Sequence, residues 1–467
     1  MGRYFLAVDI GASSGRHILG SIEDGKIVLE EVYRFENGMV KKDGHFCWDT
    51  VHLFHEIKEG MKVCKGKNKI PESMAIDTWA VDYVLLDKND KVLGNTYGYR
   101  DSRTKGIDEE VYKIISKEEL YQRTGIQKLI FNTIYQLMAL KKQEPKIMEE
   151  AESLLFIPDY FHFLLTGNKL CEYTNATTGQ LVSPITKNWD YELIEKLGYK
   201  KSMFQEINQP GTLAGRLTPQ IEEEVGFCCD VILPATHDTG SAVMAVPTLQ
   251  EACMYISSGT WSLMGIEIKK AICSIASMEK NFTSEGGYEY RFRYLKNIMG
   301  LWMIQSVRHE FNDKYSFAQL CTMAELEKTF PSRVDVNDDC FLAPENMTEE
   351  IRTYCMKTGQ TVPATVGQIA AVIYQSLAES YADTAQEIEM LTGKKFDCIH
   401  VIGGGSNAAY LNQLTAAKTG KTVYAGPGEA TAIGNLMAQM IKAGELGGLQ
   451  EARKCVYESF EVKEYNG

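Results

Sequence analysis

The sequence predicts an α/β protein built from two related halves, and three observations point there. The chain has 467 residues, enough for two large domains. Its opening stretch reads as a three-strand meander, a helix and a further strand, not as the repeated strand–helix alternation of a dinucleotide-binding sheet. About half the chain later, "CMYISSGTWSLMGIEI" repeats the opening device "YFLAVDIGASSGRHILG": an apolar strand, a turn of small residues, and a second apolar strand.

Taken in order, "RYFLAVDI", "RHILGSIE" and "KIVLEEVYRF" have strand composition, and Asp24-Gly25 between the second and third is a hairpin signal. Asp49 or Thr50 caps a helix that places Val51, Phe54, Ile57 and Met61 on one face. "SMAIDTW" and "DYVLLD" read as strands, and Ser116–Glu224 is richer in helix patterns. "DVILPATHDTGSAVMAVP" gives a strand, a turn and a small-residue helix closed by Pro247. Ile369, Val372, Ile373, Leu377 and Tyr381 mark a long helix. The stretch from Phe396 onward then reads strand, Gly-rich turn, helix, strand, helix. Domains are expected over 1–246 and 247–467.

A net charge of −13 argues against nonspecific binding to nucleic acid or to an anionic membrane surface. It leaves room for an anionic ligand at a local site. No secretory signal, myristoylation motif or bilayer-spanning run is visible. The twelve cysteines are scattered without Cys-x-x-Cys, as free thiols in a reducing compartment would be. The expected location is the cytoplasm, with small-molecule partners. Homo-oligomer formation is left open.

Turns of Gly, Ala and Ser aim backbone N–H groups into one concavity, which suits phosphate oxygens. Ser13, Ser14, Ser258 and Thr260 add hydroxyls. A plain hairpin would explain either turn alone, but two in equivalent places suit jaws on a polyphosphate. The first is neither a Walker loop, since no Gly-Lys-Ser/Thr follows it, nor a dinucleotide fingerprint, since a strand follows where that motif needs a helix. Gly403, Gly404 and Gly405 leave space for a ring or sugar near the backbone, and Ser406 or Asn407 can cap the next helix. "TGKT" at Thr419–Thr422 is discarded as a phosphate loop, because it runs from helix to strand.

In "ATHDTGSA", Asp238 starts a helix beside His237 and can accept a proton from an attacking hydroxyl. A helix cap is the plainer alternative. Asp9 either ends a strand or holds Mg²⁺ through water. His52 and His55 lack zinc spacing. Asp77, Thr78, Trp79, Asp82, Arg100, Asp101 and Arg103 bring together donors, acceptors and an indole face of the kind a polyhydroxylated sugar requires, though each also fits an ordinary structural contact.

Along essentially its whole length the chain resembles the FGGY family of carbohydrate kinases, within the actin-like ATPase group. The stretches that carry the likeness are "AVDIGASSGR", "CWDT", "IDTWAVDYVLLD", "YRDSRT", "ATHDTGSAV", "YISSGTWSLMG", "LKNIMGLWMIQ" and "VIGGGSNAAYLNQLTAAKTGKTVYAGPGEATAIGN". The resemblance implies two actin-like (ribonuclease H-like) domains with an active-site cleft between them, Mg²⁺, and ATP as co-substrate. It implies ATP contacts at Ala12, Ser13, Ser14, Gly15, Arg16, Thr260, Gln305, Gly403, Gly404 and Gly405. It implies a proton acceptor at Asp238 and sugar contacts at Thr78, Trp79, Ala80, His237, Asp238, Thr239 and Asn297. "IDTWAVD" and "LKNIMGLW" are most similar to the branch that phosphorylates the primary hydroxyl of L-rhamnulose. That branch generally reads Thr-Trp-Gly-Val-Asp, and Ala80 replaces its glycine here, adding a methyl group near the ketose. A kinase for L-fuculose or L-xylulose is the first alternative, and a non-catalytic actin-like nucleotide-binding regulator the second. Glycerol is disfavoured, because Ala80 and Val81 stand where glycerol kinases carry Arg-Glu.

Overall fold

A computed structural model describes residues 2–250, 253–342 and 344–467. Its contacts divide the chain into two compact α/β units. The first comprises Met1–Ala245, Ile268–Tyr294 and Thr431–Ser459, and the second Val246–Glu267, Leu295–Ala430 and Phe460–Gly467. The polypeptide thus leaves the first unit at Ala245 and returns to it twice.

The first unit is built on a six-stranded sheet ordered Lys26–Glu36, Ser14–Glu23, Tyr4–Ile10, Pro71–Thr78, Asp230–Ile232, Leu213–Arg216. The opening three strands form the antiparallel meander read from the sequence, and Pro71–Thr78 then pairs parallel with Tyr4–Ile10. Asp24 and Gly25 both have positive φ, at 49° and 78°, as a twisted two-residue hairpin turn requires. Tyr4–Ile10 is almost wholly buried, which is why it is apolar on both faces, Asp9 apart.

Asp49 caps the helix Thr50–Gly66 by accepting the His52 amide. Its buried face is Leu53, Ile57, Met61 and Cys64, and Val51 points to solvent at 81 % exposure. The face is thus rotated from the expected one. Apolar spacing at Val51 and Phe54 fits a helix, but Leu53 and Cys64 fit the same period and bury more completely. Tyr83–Leu86 pairs with Ser153–Phe156 in a small separate sheet above a second apolar cluster.

The second unit repeats the plan. Six strands of a seven-stranded sheet run Phe292–Met299 (whose second half lies in this unit), Trp261–Ile268, Met254–Ser258, Cys398–Ile402, Thr422–Ala425, Lys463–Tyr465, and the seventh, Thr283–Gly286, lies beside Phe292–Met299. Here too an antiparallel hairpin is followed by a strand parallel to its first arm, then another parallel strand and an antiparallel edge. The duplication seen in two short turns therefore extends to a whole sheet. Helix Val366–Thr392 buries Ile369, Val372, Ile373, Leu377 and Tyr381 and opens with a capping box from Thr365 and Gln368. All twelve cysteines are free. No described helix is long and apolar enough to cross a membrane.

Candidate active site

In the first unit, strand register brings three carboxylates into one electrostatic neighbourhood. Asp9 and Asp77 occupy paired positions on adjacent parallel strands. Thr78 bridges to His237, and its N–H donates to Thr236 O at 2.9 Å, so the strand end carrying Thr78 lies beside the start of the Asp238–Met244 helix. Burial, then the charge of Asp9, pushes Asp238 up to about 6. The same two causes hold Asp77 well above the usual carboxylate range. Asp77 is fully buried, accepts from Asn435 Nδ2 at 2.6 Å through Oδ2, and its Oδ1 has no partner among the described residues.

Asp9 does not face the site alone. Arg16, its cross-strand partner, donates to Oδ2 from Nε at 3.0 Å and from Nη2 at 2.9 Å. Between them Gly11, Ala12, Ser13 and Ser14 form the turn, closed by Gly11 N–H to Ser14 O at 2.9 Å and Asn37 N–H to Ser13 O at 3.0 Å. Gly15, second in the descending strand, pairs with Ile10. Among the described residues, no three His, Cys, Asp or Glu side chains converge to hold a metal ion.

The loop before Asp238 is held by a residue that sequence reading passed over. Glu172 is completely buried and accepts from the amides of Thr174, Asn175 and Thr236 and from the hydroxyls of Thr174 and Thr236. Thr174 Oγ1 in turn accepts the His237 amide at 3.2 Å. The available signal was an acid before a Thr-Asn-Ala-Thr-Thr helix start, an N-cap pattern; its long-range partner Thr236 was invisible. Asp238 itself accepts from the Thr239 amide and from Thr239 Oγ1 at 3.0 Å.

Thr78, Trp79 and Ala80 follow the strand end. Trp79 is buried and packs on Trp48 with ring centroids 3.9 Å apart and ring planes tilted by 32°. Both indoles donate to Asp82 Oδ2, at 3.0 and 2.7 Å, which also takes the Tyr99 amide, while Gln136 Nε2 donates to Oδ1. Arg103 is buried against Gln136 and the Tyr97 ring, and Asp101 binds His45, the Phe46 amide and the Arg103 amide. The polar group read as sugar-like is thus largely a closed internal network around Asp82. Burial pushes Asp82 up to about 6 despite its donors. Between Ala80 and that network, Val81 has φ of 68° in a γ-turn closed by Asp82 N–H to Ala80 O at 2.9 Å. A β-branched residue rarely adopts this conformation. Thr133 Oγ1 donates to Val81 O at 2.8 Å and secures it.

In the second unit the start of the helix that carries Gln305 and the Gly403–Gly405 turn pack on the hairpin that carries Thr260. The Gly259 N–H donates to Trp261 O, and the turn carbonyls of Gly259 and Thr260 accept from Leu301 and Trp302, the start of the helix that carries Gln305. A Cβ on Gly300 would sit 2.5 Å from the Trp261 carbonyl carbon, so only glycine allows that contact. Gly403, with φ of 80°, and Gly405 pack on Ser258, and Gly404 faces open space. Ser406 and Asn407 do not cap the following helix: Ala408 is its N-cap, and a short 3₁₀ turn over Gly404–Asn407 intervenes. Asn297 is half-buried on the strand Phe292–Met299. Lys421 of "TGKT" is spent on Glu389 and Phe396 O, as befits a structural turn.

Residues 4–245 match the N-terminal domain of the FGGY family of carbohydrate kinases, and residues 254–443 match its C-terminal domain. The rhamnulokinase of Halalkalibacterium halodurans is 56 % identical over 99 % of this chain and 98 % of its own. That of Bacillus subtilis is 42 % identical over 98 % of this chain and 94 % of its own. Among solved structures, the gluconate kinase of Lactobacillus acidophilus aligns with a TM-score of 0.80 at 16 % identity, over 100 % of this chain and 94 % of that one. Plasmodium falciparum glycerol kinase with ADP gives 0.79 at 15 %, over 99 % and 94 %. Those structures share the fold, and the domain matches and near-full-length relatives carry the kinship further: the chain is a member of the FGGY family of carbohydrate kinases.

Proposed function

We propose that the chain transfers the γ-phosphoryl group of ATP to the primary hydroxyl of L-rhamnulose, giving L-rhamnulose 1-phosphate and ADP in L-rhamnose breakdown. The observation that carries this reading is 56 % identity, over 99 % of the chain, to a protein named rhamnulokinase. The free thiols suit the cytoplasm.

Asp238 is the proposed base. Its carboxylate takes the hydroxyl proton as the sugar oxygen bonds to the γ-phosphorus and the bond to the β-phosphate oxygen breaks, leaving ADP. With its proton affinity raised to about 6, it is a stronger base than a surface aspartate yet still mostly ionised at neutral pH. Thr239 donates to its Oδ1 and fixes its orientation. From the family likeness we assign sugar contacts to Thr78, Trp79, Ala80, His237, Thr239 and Asn297, that of Trp79 through its ring, since Asp82 already takes its indole N–H. ATP contacts go to Ala12, Ser13, Ser14, Gly15, Arg16, Thr260, Gln305, Gly403, Gly404 and Gly405.

The donor set fits Mg²⁺, a hard ion that keeps its waters and takes one or two carboxylates. Asp9 would hold it through water, and the unpartnered Asp77 Oδ1 lies on the neighbouring strand. When bound, the ion would neutralise charge on the phosphates.

The Asp238→Asn variant should bind ATP as the parent does and lose about 100-fold or more in kcat. Turnover near the parent rate would remove Asp238 from the role of base. The substrate is tested by an ADP-coupled assay over L-rhamnulose, L-fuculose and L-xylulose. Ala80 gives the other ketoses a specific foothold, and a higher kcat/KM on either of them would replace the rhamnulose reading.

A further inference from the structure

His237 stands next to the proposed base, and what lies behind it decides what it can do. Arg293 is fully buried at the start of the strand Phe292–Met299. Its Nε donates to Gly286 O at 2.9 Å. Its Nη2 lies 3.1 Å from Glu285 Oε2 and 3.0 Å from His237 Nδ1. A guanidinium has donors only and does not lose its proton in proteins. A hydrogen on Nδ1 would therefore meet an N–H head-on at 3.0 Å. The contact forms only if Nδ1 offers its lone pair, so the ring is neutral and carries its hydrogen on Nε2. Among the described residues, Glu285 Oε2, 3.4 Å from Nδ1, would favour the opposite tautomer, and Arg293 is itself paired with it.

On the other side of the ring, Nε2 lies 3.4 Å from Asp238 Oδ1, which already accepts from Thr239. That N–H thus stands beside the base without a close acceptor in it. An oxygen of a polyol adjoining the reacting hydroxyl is the chemistry that would take it.

We propose that Arg293, paired with Glu285, is a positioning residue that locks His237 in the Nε2–H tautomer, so that His237 donates to a sugar oxygen next to the one Asp238 deprotonates. The assignment of the acceptor rests on the sugar-kinase reading; the tautomer does not. Without the guanidinium, Nδ1 could carry the hydrogen and donate to Glu285. Nε2 would then present a lone pair to the substrate and cease to donate.

The test is long-range ¹H–¹⁵N NMR of the histidine-labelled full chain without sugar or nucleotide, with His237→Asn used to assign the signal. The expected wild-type result is the neutral Nε2–H pattern. Arg293→Met should lose that pattern and lower kcat/KM for the ketose by about tenfold to a hundredfold, the worth of one hydrogen bond to a charged or reacting group, with ATP affinity retained. Arg293→Lys, which also only donates, should keep the pattern and recover part of the rate. An Nδ1–H pattern in the wild type, or an Arg293→Met protein that keeps the Nε2–H pattern or full kcat/KM, would overturn the proposal. The spectrum needs no substrate, so it judges the tautomer even if the ketose assay rejects the kinase reading.

Discussion

At the residue scale, the most consequential feature is a set of acids that burial makes reluctant to ionise. Asp238, pushed up to about 6, must be charged to serve as a base. The kcat/KM profile should therefore be flat near pH 8 and fall below about pH 6, approaching tenfold per pH unit, as the carboxylate gains its proton. A pH-rate series on the best ketose checks this, and a profile level down to pH 5 would contradict it. Glu172 carries a different load, since its donors include both polar hydrogens of Thr236. Glu172→Ala leaves several buried donors unmet and should lower stability by at least about 3 kcal/mol in chemical denaturation. Such residues also mark how far the sequence could be read. The helix start at Asp238, with His237 before it, was legible because a small-residue run follows at once. The Asp9–Arg16 pair was not, because it depends on which residues face each other across a hairpin. Glu172 and Arg293 act on His237 and its loop from tens of residues away, and no local pattern records that.

At the element scale, the turns are where composition spoke most clearly. Both small-residue hairpins, the Asp24-Gly25 turn and the long helix from Val366 formed as read, because each is specified by local periodicity and turn chemistry. The sugar-like cluster shows the opposite case. Trp79, Asp82 and Arg103 have the chemistry of a binding pocket, yet their bonds run inward to Trp48 and Gln136. Sequence gives the inventory of donors and acceptors, and only packing decides whether they face a ligand or one another. In the second unit, Gly300 lets a helix start sit on the turn carbonyls of Gly259 and Thr260. Gly300→Ala should push that helix off the turn and raise the Kd for ATP by about tenfold, with a smaller effect on KM for the sugar. Isothermal titration with a non-hydrolysable ATP analogue reads this directly, and unchanged affinity would show that the turn tolerates the shift.

At the scale of the whole molecule, a six-stranded order that recurs within the second, seven-stranded sheet accounts for the duplication first glimpsed in two short motifs. The first sheet is finished by a late segment of chain. Asn435 binds Asp77, Gln439 binds Ser73 and the Leu6 carbonyl, and Arg453 binds the carbonyls of Met244 and Val243. A fragment ending at Ala245 lacks all of these and should show no cooperative thermal transition by circular dichroism, whereas the full chain melts sharply. A sharp melt from the fragment would mean that its own core suffices.

The same late return of Thr431–Ser459 sets a timetable for synthesis. At about 5–20 residues per second, a nascent chain that has finished its first 245 residues waits roughly 10–40 s for the ribosome to release the helices that complete them. Through that interval the buried acid Asp77 and the apolar strand beside it lack their cover, and holding them soluble falls to whatever chaperones attend the tunnel exit.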